Sequence, residues 1–150
     1  LSPSSAASDV YKRQVRFYER LEPAVFVLRL VPGMRADIIP LLAPHYRALV
    51  LESFGVGGLP GGEHGEMFAA LRRWCESGRL AVFTTQVPHE GCDLAVYEVG
   101  RAVGELPGVL EARDMTPEAV AVKLMWALGQ TEDREKAARL FETPIEYDIM

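Results

Sequence analysis

The sequence predicts an α/β domain, a small parallel sheet of about four strands with helices on both faces. Short apolar runs at residues 24–33, 48–53, 80–86 and 108–112 alternate with segments whose apolar residues recur at helical spacing. The runs are continuously apolar, as strands buried on both faces are, and each stops at turn or polar residues. Such alternation implies right-handed crossovers and a sheet whose ligands meet the carboxyl ends of the strands.

Residues 15–21 read as a helix-like segment without a start signal of its own, broken at Glu22-Pro23. The first strand, AVFVLRLVPG at 24–33, ends at the Pro32-Gly33 turn. Residues 35–43 cluster Ile38, Ile39, Leu41 and Leu42 as a helix would, but Pro40 predicts that it is short or bent. The second strand, 48–53, leads into a glycine loop with Gly55, Gly57 and Gly58, where backbone must turn sharply or approach something closely.

In residues 63–77, Met67, Phe68, Leu71, Trp74 and Cys75 recur at helical spacing, and Gly78 stops that helix. The third strand, 80–86, ends in a polar loop; residues 93–100 begin another helix, and 108–112 make a short fourth strand. Thr116 as N-cap, Pro117 at the first position, Glu118 in the first turn and Gly129 as closure then bound a helix that is apolar almost all round. A last helix spans 133–141 with Thr131 as its cap, and the tail at 144–150 is a poor helix former.

At 150 residues, 49% hydrophobic and 25% charged, the chain can bury one sizeable core. A net charge of −5, with no basic run, argues against nonspecific nucleic-acid or anionic-membrane binding. No apolar run is long enough to span a bilayer. Cys75 and Cys92, without CxxC spacing or a secretory signal, read as reduced thiols of a cytoplasmic protein. The Ser/Ala-rich residues 1–14, LSPSSAASDVYKRQ, resemble translated adapter read-through, with a disordered tail as the plainer reading.

The candidate chemistry is sparse. The loop at 55–60 matches neither GxGxxG nor GxxxxGK[ST], so its glycines suit a tight turn rather than a phosphate cradle. Thr84, Thr85 and Gln86 at a strand end offer hydroxyls and an amide to a small polar ligand, although threonines also suit a strand and bond locally. His89-Glu90 is a candidate acid/base pair, but three scattered histidines without HxxxH or HExxH make a metal site improbable. Tyr97-Glu98 sets a phenol beside a carboxylate, and Asp114 precedes a helix N-terminus that already favours it. Cys92 near His89 is a remote thiol–imidazole pair, and no GxSxG elbow or Ser/Thr beside a plausible catalytic Lys is present.

Four blocks, VFVLRLVPG, ALVLESFGVGGLP, AVFTTQVPHEGCDLAVYEVG and GVLEARDMTPEAVAVKLMWAL, resemble in order and spacing the C-terminal domain of bacterial cytoplasmic-type L-asparaginases. The resemblance covers residues 15–149. It implies hydrolysis of L-asparagine to aspartate and ammonia by threonines of an N-terminal domain, with no cofactor or metal. No TGGTI-like or GTDT-like motif stands in this sequence, so the resemblance implies a truncated protein, inactive alone. It further implies a homodimer or homotetramer in which Tyr97 and Glu98 reach a neighbouring subunit's active site, with Glu98 pairing with the substrate ammonium. Thr85 and Gln86 match an effector segment, Val87 replaces its Cys, and Glu52 stands where some members have Arg, departures that weigh against allosteric control. Gly58 replaces the Asn of GVGN and removes one side-chain amide. The alternatives are a component of a transfer-RNA-dependent amidotransferase and a non-catalytic amino-acid-binding module.

Overall fold

The computed structural model describes residues 15–55, 57–87, 91–96 and 98–149. Four parallel strands, β1 (Val25–Arg29), β2 (Ala48–Ser53), β3 (Leu80–Thr85) and β4 (Val109–Glu111), lie in the order β1-β2-β3-β4. Val25 sits opposite Ala48, Val50 opposite Val82 and Phe83 opposite Glu111. Each strand therefore neighbours the one before it in sequence. Right-handed crossovers that always step the same way put every connecting helix on one face.

That face carries α1 (Ile38–Leu42), α2 (Glu66–Glu76) and α3 (Glu98–Gly104). Ile39, Leu42, Met67, Leu71, Trp74 and Val103 bury there against Leu28, Leu49, Leu51 and Phe83. The opposite face would be bare had the chain ended at β4. It is covered by α4 (Pro117–Gln130) and α5 (Arg134–Glu142), whose Val120, Leu124, Leu128 and Phe141 pack on Val25, Ala48, Val50 and Val82. Both central strands are thus apolar on both faces, the pattern their sequences show.

Local chemistry explains most boundaries and corrects some expectations. The helix around Pro40 is short, as expected: Pro40 is the third of its five residues, where no N–H partner inside the helix is required. Thr116 caps α4 by accepting from the Ala119 amide, as expected, with Pro117 first in the helix. Gly129 does not close α4, which runs on to Gln130. The cap of α5 is Asp133, which accepts from Lys136 N at 2.9 Å, while Thr131 accepts from Asp133 N one step earlier. Residues 15–24 form no helix; residues 18–22 run beside α4, with Glu22 N donating to Met125 O at 2.9 Å. Inside the segment the Arg20 carbonyl is likewise taken by the Gln130 side chain, so these backbone groups are satisfied from α4 rather than within a helical turn.

Lys123 departs from the expected apolar surface of α4. Its side chain is buried, donates to Thr143 O at 2.9 Å and pairs with Asp148 at 2.7 Å. The segment after α5 is thereby tied back over the core, with Ile149 buried. No helix among the described residues is long and apolar enough to cross a membrane.

Candidate functional site at the strand ends

At the carboxyl edge of the sheet a cleft of about 460 Å³ is lined by Arg29, Glu52, Thr85, Gln86 and Arg113, with the first turn of α4 as its far wall. The site is built by register, because Arg29 is opposite Glu52, and Ser53 opposite Thr85. Gln86 follows directly on β3, and its side chain ties three strands together. Its Nε2 donates to Leu30 O at 2.7 Å and to Glu52 O at 2.8 Å, and its Oε1 accepts from Arg29 Nε at 3.1 Å.

Thr85 is engaged as fully. Its Oγ1 donates to Gly55 O at 2.7 Å and accepts from Val87 N at 3.1 Å, so the hydroxyl fastens the glycine loop to β3. Thr84 is buried, and its carbonyl accepts from Ser53 Oγ at 2.9 Å.

The glycine loop is a tight reversal. Gly58 N donates to Phe54 O at 2.8 Å, Gly55 and Gly57 adopt φ of 61° and 146°, and Val56 lies outside the described residues. A Cβ on Gly58 would stand 2.5 Å from both Phe54 Cε2 and Phe54 O. The missing amide therefore leaves no void, because the Phe54 ring occupies that side of the loop.

Cys92 is buried, its N–H donating to Arg113 O at 2.9 Å. Burial pushes its thiol up to about 12, with the Glu111 and Asp93 charges adding to the effect, so Cys92 is no thiolate at neutral pH. Glu111 is itself raised above the usual carboxylate range, first by burial and then by Asp93. Tyr97, His89 and Glu90 lie outside the described residues. Glu98 is the first residue of α3, exposed, and not among the residues lining this cleft. Among the described residues no group of three His, Cys, Asp or Glu side chains is placed to hold a metal.

Two cleft residues were not anticipated, Arg29 and Arg113. Their signal was present: each is the first or second polar residue where an apolar strand run reaches the carboxyl edge. Arg113 also holds φ of 52°, a left-handed backbone that turns the chain from β4 toward α4.

The fold and this edge define an α/β domain that presents binding groups, while the described hydroxyls and thiol of the site are tied up or buried. Residues 24–141 match the Glutaminase/Asparaginase C-terminal domain, and the chain belongs to that family. It is 38% identical over 133 residues to an L-asparaginase of Thermococcus kodakarensis, covering 89% of this chain and 40% of that protein. The solved structure of the thermostable L-asparaginase from that organism superposes with a TM-score of 0.79 at 38% identity, over 87% of this chain and 39% of the other. L-asparaginase I from Vibrio cholerae gives a TM-score of 0.75 at 28% identity, over 86% and 38%. A glutamyl-tRNA(Gln) amidotransferase component of Metallosphaera sedula is 35% identical over 130 residues, 86% of this chain and 28% of that protein. The chain thus spans well under half the length of these relatives.

Proposed function

We propose that this chain is the C-terminal domain of an L-asparaginase, an amidohydrolase that releases ammonia from L-asparagine, with its nucleophile on an N-terminal domain. The observation that carries the reading is the 38% identity to an L-asparaginase across nearly the whole described domain. The state of the site supports it, because Thr85 Oγ1 is committed on both sides and the Cys92 thiol is held protonated. In this reading the domain acts in the cytoplasm within a homo-oligomer, and Tyr97 and Glu98 complete a neighbouring subunit's site, Glu98 facing the substrate ammonium. An effector amino acid would enter the strand-end cleft at Thr85 and Gln86. It would have to replace the bonds that Gln86 makes to Leu30 and Glu52.

The test is a chimera in which residues 15–150 replace the matching part of the Thermococcus kodakarensis L-asparaginase. The chimera should release ammonia from L-asparagine, and Glu98→Ala should cut that release by roughly tenfold or more, the loss of about one charge-assisted contact. The chain alone should release none. A soluble, folded chimera without activity beside an active parent would overturn the proposal. So would ammonia release by the chain alone that Thr85→Ala abolishes. The amidotransferase reading rests on the 35% identity to the Metallosphaera protein. It would be favoured by a full-length gene product that amidates glutamyl-tRNA(Gln).

A further inference from the structure

Residues 18–22 lie along the last turn of α4 and are held there by four kinds of contact. Tyr18 meets Trp126 edge-to-face, ring centroids 5.3 Å apart at 83°. Gln130 Nε2 donates to Arg20 O at 2.8 Å while also bonding Trp126 O. Glu22 N donates to Met125 O at 2.9 Å, and the Glu22 carboxylate accepts from Ala24 N at 3.0 Å and Arg47 Nη1 at 3.1 Å. Arg47 in turn pairs with Glu132 at 3.0 Å, just beyond α4.

The floor of this groove is Gly129. A Cβ there would stand 2.8 Å from the Arg20 carbonyl carbon and 3.0 Å from Leu21 Cα, and closer still to Arg20 O. These atoms are backbone, so the collision cannot be relieved by a rotamer change. Gly129 does not need a left-handed backbone, and it does not end the helix. Close approach of another chain segment is what remains to explain a glycine at this position.

We propose that the last turn of α4 is a docking groove for an extended segment of this same chain, with residues 18–22 as its occupant, Gly129 as its floor and Gln130 as its latch. The groove fixes the direction in which the chain enters β1, so a domain preceding residue 15 is carried on a docked strap rather than a loose tether. That consequence rests on the reading given under Proposed function, but the docking itself does not. Val15, Phe17 and Leu21 are 77%, 84% and 61% exposed, so the strap turns apolar side chains away from the domain it is docked on.

The experiment exploits a reversal of sign. Alanine is preferred to glycine within helices, so Gly129→Ala in an unobstructed helix should raise the melting temperature. With the strap in its groove the same change must expel it. The 150-residue chain carrying Gly129→Ala should therefore melt no higher than the original. Trypsin should cut it after Arg20 about tenfold faster or more, since cleavage follows the open population. Cleavage after Arg73 on α2 reports global opening and should rise only as far as any fall in melting temperature accounts for, well short of the change after Arg20. Gln130→Ala, which leaves the backbone untouched, should also speed cleavage after Arg20 and serves if Gly129→Ala does not fold. A higher melting temperature in Gly129→Ala with unchanged cleavage after Arg20 would overturn the proposal, as would no acceleration in Gln130→Ala. Neither readout depends on ammonia release from L-asparagine, so the strap and the asparaginase reading fail separately.

Discussion

Replacing Gln86 tests whether the strand-end cleft is held in shape by the residue that also lines it. In Gln86→Leu two donations are lost, to Leu30 O and to Glu52 O. A net hydrogen bond contributes about 1 kcal/mol, so the two together contribute about 2 kcal/mol. The Arg29 contact is exposed and adds little. For a domain of this size each kcal/mol moves the melting temperature by about 2–4 °C, which predicts a fall of about 4–8 °C in a thermal melt followed by far-ultraviolet circular dichroism. Gln86→Glu separates donation from volume: it keeps an acceptor for Arg29 but has no N–H for either carbonyl, so it should fall as far as Gln86→Leu. A shift under about 1 °C in Gln86→Leu, or a Gln86→Glu chain as stable as the original, would refute the clamp and leave the amide free for a ligand.

The buried Lys123 predicts an asymmetry. Asp148→Ala strands an ammonium in the core and should cost about 3 kcal/mol in urea unfolding, whereas Lys123→Met leaves Asp148, 27% exposed, able to reach water and should cost under about 1 kcal/mol. Equal costs would refute it. Burial pushes the Asp148 carboxyl up, but the Lys123 hydrogen bond, the Ile145 amide and the Lys123 charge outweigh it and hold the pKa below the usual value. A carboxylate depressed by folding stabilises fully above its unfolded pKa of about 3.9 and loses that contribution as pH falls through the lower folded value. Asp148→Ala should therefore flatten the acid limb of the stability curve below about pH 4. Cys92, with its thiol pushed up to about 12, should be alkylated at pH 8 about a thousandfold more slowly than an ordinary thiol, read by mass spectrometry. Labelling at an ordinary rate would show the loop at 91–96 to be open.

The sheet was legible because its signals are local and strong. Four short apolar runs, each punctuated by turn residues, are the pattern of strands buried on both faces of a parallel sheet, and helices between them follow from the crossover. The helix at 117–130 was legible from Thr116 and Pro117, whose chemistry acts within one turn. What escaped was tertiary. Gly129 reads as a helix stop by composition, yet its reason lies in Arg20, more than a hundred residues away. Residues 15–21 have apolar spacing that suits a helix, but an acceptor on α4 claims the Glu22 amide. Lys123 sits in an apolar run because Asp148 and Thr143 return to meet it. At the site, Thr85 and Gln86 were legible as polar groups at a strand end. That their hydrogen bonds are spent on Gly55, Leu30 and Glu52 follows from register, which no single segment encodes.

The sheet order also decides what kind of site this edge can be. Open α/β sheets make a crevice where the strand order reverses and successive loops diverge to opposite faces. Here the order never reverses, and the three crossovers share one face. The carboxyl edge therefore has only one wall built by crossover loops, the other being the first turn of α4. That helix begins at the cleft with Pro117 and, over 14 residues, runs about 21 Å back to the amino edge, where Gly129 receives the strap. One rigid element thus spans from the polar strand ends to the chain's point of entry. In the reading under Proposed function, a domain preceding the strap would be held relative to α4, and because α4 is also the wall of the cleft, the orientation of such a domain and the shape of the cleft would share one reference body.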